Sequence, residues 1–211
     1  MALSKIQDGL LDNNSVSDAN IKASTITDGR LNLTESLHFK KLTTLNQTTN
    51  TATTFTFHSV FNQGYEYYRV VGYLGGTVST GNANLAVRFV TGTGTVISTS
   101  SYHSSNWGFL SDGNANIGYG TGADRGYILA HTSTGTSVYV DMIVVPNNRW
   151  LYGQLYAHDQ NTHIGNTTFG VRFNAAISDW SGLYILNSGG DNLTTVDATV
   201  YGAHVDGSMG G

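Results

Sequence analysis

Between Ser137 and Val145 the chain reads Ser-Val-Tyr-Val-Asp-Met-Ile-Val-Val, so Val138, Val140, Met142 and Val144 alternate with Tyr139, Asp141 and Ile143. Successive side chains of a strand point to opposite faces. A period of two therefore puts four apolar side chains on one face, as in a strand with one side on a core. The pattern recurs. Thr54–Val60 places Phe55 and Phe57 together, and Asn84–Val90 sets Leu85, Val87 and Phe89 against Ala86 and Arg88. Tyr65–Leu74, Val96–Tyr102, Gly126–His131, Trp150–Ala157, Thr167–Asn174, Gly182–Leu186 and Asn192–Val205 read as further strands. Gly, Asn and Ser turns separate them, Thr91-Gly92-Thr93-Gly94 among them. No segment of helical length keeps a 3.6-residue period. The expectation is an all-β fold, an antiparallel β-sandwich of jelly-roll type. One glycine-rich stretch, Ser104–Arg125, breaks the alternation and reads as a long loop.

Aromatic residues set the domain limits. The chain has 3 Trp, 12 Tyr and 8 Phe, yet the first 50 positions hold a single one, Phe39. Aromatics carry much of a core's buried area, so the sandwich is expected over 51–211. Residues 35–50, with Leu37, Leu42 and Leu45 loosely spaced, read as a connector holding at most a helical turn. Residues 1–34 carry a ten-residue repeat. Lys5-Ile6-Gln7-Asp8-Gly9-Leu10-Leu11 aligns with Ser15-Val16-Ser17-Asp18-Ala19-Asn20-Ile21 and with Thr25-Ile26-Thr27-Asp28-Gly29-Arg30-Leu31. So short a unit cannot bury its aliphatics alone. The repeat predicts an extended assembly arm, with Ile6, Leu11, Val16, Ile21, Ile26 and Leu31 buried against sister arms or a larger particle.

Composition narrows the function. The ten Lys and Arg form no run, and the net charge is −4, which argues against a nucleic-acid partner. No stretch reaches the ~18 apolar residues of a membrane helix, so no membrane insertion is expected. The start lacks the pattern of a signal peptide, so synthesis in a cytoplasm is expected. There is no cysteine, so thiolate metal sites are excluded. Nucleophile elbows, phosphate loops and His-Glu-x-x-His are missing, and the expectation is a protein that is not an enzyme and uses no cofactor.

Tyr102, Trp107, Tyr119 and Trp150 are the candidate ligand-binding residues. Aromatic faces stack on sugar rings; equally, Trp and Tyr plug sandwich ends or fill subunit interfaces. Asp112-Gly113-Asn114-Ala115-Asn116 opens like a calcium loop, but Ile117 stands where Gly is needed and Ala123 where Glu is needed. It reads as a polar turn. His158 and His163 lie five apart, an odd spacing that one strand face cannot bring together. No metal site is expected. Asp141, Asp179 and Asp197 are the acids whose pairing in space would suit a glycan hydrolase.

The repeat units Ser15–Ile21 and Thr25–Leu31 resemble repeats near the start of phage tail-fibre and virion proteins. Tyr67-Tyr68-Arg69-Val70-Val71, Leu85-Ala86-Val87-Arg88-Phe89 with Ser101-Tyr102, Trp180–Gly190 and Ala198-Thr199-Val200-Tyr201-Gly202 are similar, in that order, to the β-sandwich of phage structural proteins. The resemblance implies a homotrimeric virion surface protein contacting other virion proteins: a short fibre, a spike or a capsid decoration. Its body would stabilise the capsid or attach to a host surface glycan. A free carbohydrate-binding module is the alternative.

Overall fold

A computed structural model of the chain describes residues 39–48, 54–61, 64–77, 83–110, 115–132, 137–158, 164–175, 179–187 and 192–203. The expected arm, with Ile6, Leu11, Val16, Ile21, Ile26 and Leu31, lies outside the described residues, as do Asp112–Asn114, His163 and His204. Twelve strands are described: β1 (Lys40–Thr48), β2 (Thr54–Phe57), β3 (Tyr67–Thr77), β4 (Ala83–Thr91), β5 (Tyr102–Leu110), β6 (Ala115–Ala123), β7 (Gly126–Thr132), β8 (Ser137–Val145), β9 (Trp150–His158), β10 (Ile164–Phe173), β11 (Trp180–Asn187) and β12 (Asn192–Ala203). All named pairings are antiparallel.

They form a sandwich of an eight-stranded sheet, β1-β12-β3-β8-β9-β10-β5-β6, and a four-stranded sheet, β2-β11-β4-β7. Leaving out β5, β6, β9 and β10 yields β1-β12-β3-β8 facing β2-β11-β4-β7. The chain then crosses between sheets at nearly every step, which is the jelly-roll arrangement. Two hairpins are added to this frame. The pair β9–β10 continues outward from β8, and β5–β6 continues from β10. The larger sheet is thus half frame and half extension.

The core lies between the sheets. Val138, Val140, Met142 and Val144 are buried as their period requires, while Tyr139 is exposed. Leu85, Val87 and Phe89 meet them from the smaller sheet, with Leu183 and Ile185. One end is filled by rings: Phe89 stacks on Trp180 at 3.7 Å and meets Tyr102 and Phe173 edge-on at 5.4 and 5.9 Å. Each such buried side chain contributes about 1.5–3 kcal/mol.

Three expectations change. The connector at 35–50 holds no helical turn among its described residues, since Lys40–Thr48 is strand β1 on the edge of the larger sheet. Its register shifts between Lys41 and Thr43, and this bulge lets both Leu42 and Leu45 pack on the core despite their odd spacing. Val96–Tyr102 is not a strand. Val96 makes a single bridge to Val90, and a continuous strand begins only at Tyr102. Ser104–Arg125 is not a loop but most of the β5–β6 hairpin. Glycine hides the alternation there because backbones approach closely. A Cβ on Gly108 would stand 2.0 Å from the Asn166 carbonyl oxygen, so β5 accepts no side chain at that point.

Candidate functional site

The outward face of the eight-stranded sheet carries side chains in cross-strand rows. One row runs Tyr73–Tyr139–Tyr156–Asn166. The next is Asp141–Gln154–Thr168–Trp107. Then comes Arg69–Ile143–Tyr152–Gly170–Ser105–Tyr119. The last is Trp150–Arg172–His103–Thr121. Tyr73, Tyr139, Trp150, Tyr152, Tyr156, Trp107 and Tyr119 are all exposed. Such an aromatic sheet face marks a surface built to meet something.

Within it lies a trough of about 370 Å³, at the small end of the ligand-pocket range of roughly 300–1,000 Å³. Gly170 forms its floor, and a Cβ added there would meet no atom within 4 Å. Trp150 and Tyr152 of β9 stand on one side, and His103 and Ser105 of β5 on the other. Two strand spacings, about 10 Å, separate these walls. Arg172 closes the end, its guanidinium 5.8 Å from the centre of the Trp150 ring. A second hollow of about 280 Å³, lined by Asp141, Gln154 and Thr168, lies on the other flank of Tyr152.

Local structure sets these groups. A 3-10 turn at Pro146–Asn148 ends β8. Arg149 adopts φ 57°, the left-handed region that a non-glycine residue enters at a cost. Its N–H donates to the Pro146 carbonyl at 3.0 Å and its Nη1 to the Ala175 carbonyl at 2.6 Å. That hinge places Trp150 as the first residue of β9. Arg69 donates to Asp141 through Nε at 2.9 Å and Nη2 at 2.6 Å. The hydrogen bond to Asp141 holds the guanidinium pKa of Arg69 above its ordinary value.

Three of the four aromatics expected to bind ligand are on this face. Trp150 lines the trough, Trp107 lies one row away, and Tyr119 ends the Gly170 row on the edge strand, 85 % exposed. Tyr102 is on the other face and is withdrawn as a ligand contact. It is fully buried, accepts from the Phe89 N–H at 2.8 Å and donates to the Ile97 carbonyl at 2.8 Å. Burial pushes its hydroxyl pKa well above the ordinary phenol range. Spacing alone carried this signal, because Tyr102 and Trp107 are five apart on one strand and so face opposite ways.

Tyr152, Gly170, Arg172 and His103 were missed as site residues. Trp150 and Tyr152, two apart, were legible as one aromatic face; their meeting with Arg172 depends on strand register. The candidate acids do not converge. Asp141 is engaged by Arg69, Asp197 lies on β12 with β3 between, and Asp179 accepts from the Gly92 N–H in a turn. Comparison with family models, with curated proteins and with solved structures finds no match to this chain.

Proposed function

We propose that this chain is a non-enzymatic virion surface protein, a short fibre, spike or capsid decoration held by its N-terminal arm, that attaches to host-surface glycan through the outer face of its larger sheet. The observation that carries the attachment reading is the trough: one tryptophan and one tyrosine ring, Trp150 and Tyr152, half exposed on paired strands beside a glycine floor. The apolar C–H face of a pyranose packs on an aromatic face, and hydroxyl, amide and guanidinium groups nearby hydrogen-bond its rim. Strands hold these rings in place before binding, which lowers the entropy lost on binding. The virion setting rests on the repeat and the strand motifs.

A homotrimer is part of the reading. Strands β1, β6, β2 and β7 are sheet edges, and edges with few charges invite cover by another chain. Trimerisation through the arm would also bring several troughs into one assembly, raising avidity.

The test is retention of the full chain on a glycan array, wild type beside the Trp150→Ala/Tyr152→Ala double variant. Binding by the wild type and its loss in a variant with unchanged thermal unfolding supports the reading. Equal binding by the variant, or none by the wild type, overturns it. Light scattering separates the alternative: a carbohydrate-binding module acting alone gives the mass of one chain.

A further inference from the structure

Arg172 differs from the other arginines among the described residues. Arg69 is matched by Asp141, and Asp124 is shared by Arg88 and Arg125. Arg149 is turned to the Ala175 carbonyl. Arg172 has none of these arrangements. Among the described residues no carboxylate lies within ion-pair distance of it, and its guanidinium lies over the Trp150 ring. Among the described residues no Asp or Glu lines the trough, and His103 stands directly across from Arg172 in the sheet register. The site therefore combines two aromatic rings with an uncompensated planar cation.

We infer that the trough takes an acidic sugar, a uronate or sialate unit, with its carboxylate on Arg172 and its ring against Trp150 and Tyr152; this rests on the glycan-attachment reading. A guanidinium forms two parallel hydrogen bonds to a carboxylate, a geometry an ammonium cannot match. Lying near the Trp150 ring, the guanidinium is pre-oriented by the ring's negative face, so less of its rotamer freedom is lost on binding. Ser105 supplies a hydroxyl on the opposite wall. An open floor at Gly170 leaves room for the ring between the walls.

The ligand extends beyond one unit. Tyr152 is shared by the trough and the hollow beside it, so one ring can serve two consecutive sugars. In that hollow Asp141 is already neutralised by Arg69, while Gln154 and Thr168 offer an amide and a hydroxyl. These groups suit a neutral sugar. The arrangement reads a chain in which an acidic unit adjoins a neutral one, running along β9 from Trp150 toward Gln154.

The experiment uses the full chain on an array carrying uronate oligomers and sialylated oligosaccharides beside neutral glucan, mannan and galactan oligomers. Each uronate oligomer is paired with its methyl ester, which removes charge and keeps the ring. The expected result is binding to acidic members, weakened about tenfold by esterification and by Arg172→Gln, since each removes one charge-assisted contact. Arg172→Lys should recover only part of the affinity, and Arg172→Gln should unfold at the wild-type temperature. Binding also weakens with added salt. If neutral and acidic members bind alike, or if Arg172→Gln binds as well as wild type, the acidic-sugar inference falls and glycan attachment stands. If no sugar binds, both fall.

Discussion

Strand β8 of the frame and strand β5 of the extension are built on different rules. On frame strand β8 the inward positions are Val138, Val140, Met142 and Val144, all buried. On extension strand β5 the inward positions are Tyr102, Ser104, Asn106 and Gly108, so after Tyr102 the side chains become small or polar. Ser104, Asn106 and Thr167 are buried polar side chains of the extension. Strands β9 and β10 still bury Leu151, Leu155, Phe169, Val171 and Phe173, so it is β5 that gives up apolar area for close backbone approach, and the outward face of the extension carries most of the trough. Stability and recognition are therefore placed on opposite faces of one sheet, and a substitution should affect mainly one of them.

The largest effect is expected from Phe89→Ala. Phe89 is fully buried on frame strand β4 and touches Trp180, Tyr102 and Phe173. Loss of such a side chain costs about 3–5 kcal/mol, read as a lower midpoint in chemical denaturation. Tyr152→Ala on the outward face should cost less than about 0.5 kcal/mol and abolish glycan retention. If Tyr152→Ala destabilises as much as Phe89→Ala, the separation of roles is wrong.

Two glycines on adjacent extension strands sharpen the contrast. A Cβ on Gly153 would lie 2.2 Å from the Asp141 carbonyl oxygen and 2.7 Å from Met142 Cα, both backbone atoms that cannot step aside. Gly153→Ala should cost about 1–3 kcal/mol, as overpacking does. Gly170→Ala meets nothing within 4 Å and should leave thermal unfolding unchanged or slightly raised, while raising the floor of the trough and weakening sugar binding. Equal stability of the two variants would show that Gly153 is not pinned between strands.

These features explain how far the chain was legible. Where apolar area makes the strand, the pattern is open: Ser137–Val145 has the bounds of β8 to the residue. Where close approach makes the strand, glycine looks like a turn. That is why β5–β6 read as a loop, and why the connector concealed β1 behind a bulge. In the site, Trp107 and Tyr119 were legible as aromatics of the glycine-rich stretch, and Trp150 as the aromatic that opens a strand. Tyr102 was grouped with them by proximity although its parity placed it inside. Arg172 carried no local signal, because its meeting with Trp150 comes from a register between β9 and β10 that sequence spacing does not encode.

A smaller change is expected at Asn106. This extension side chain is buried, and among the described residues neither its amide nitrogen nor its carbonyl oxygen has a hydrogen-bond partner. An unpaired buried polar group costs about 1–3 kcal/mol, and an apolar group of similar shape can relieve it. Asn106→Leu should stabilise by up to about 1 kcal/mol, offset in part by imperfect packing. Destabilisation by this variant would mean that the amide is solvated in solution.

The smallest effect concerns the joint between the two regions. Asp124 lies between β6 of the extension and β7 of the frame. It accepts from Arg125 Nε at 2.7 Å and also from Arg88 of frame strand β4. Hydrogen bonding from Arg125 is the main cause that holds its carboxyl pKa below the ordinary 3.8; burial opposes it, and the hydrogen bond from Arg88 adds to the lowering. A carboxyl with a lowered folded-state pKa adds stability above its unfolded pKa. That stability begins to fade near 3.8 and is lost as pH falls through the folded value. The side chain is 36 % exposed, so screening limits the contribution to a few tenths of a kcal/mol, roughly. Acidification below the ordinary carboxylate range should therefore loosen the β5–β6 hairpin before the frame. Hydrogen exchange would show protection falling at Ser104–Gly108 while Val138–Val144 stays protected. Asp124→Asn should remove that pH dependence. If hairpin and frame lose protection together in both proteins, the ion cluster does not join them and the extension unfolds only with the whole.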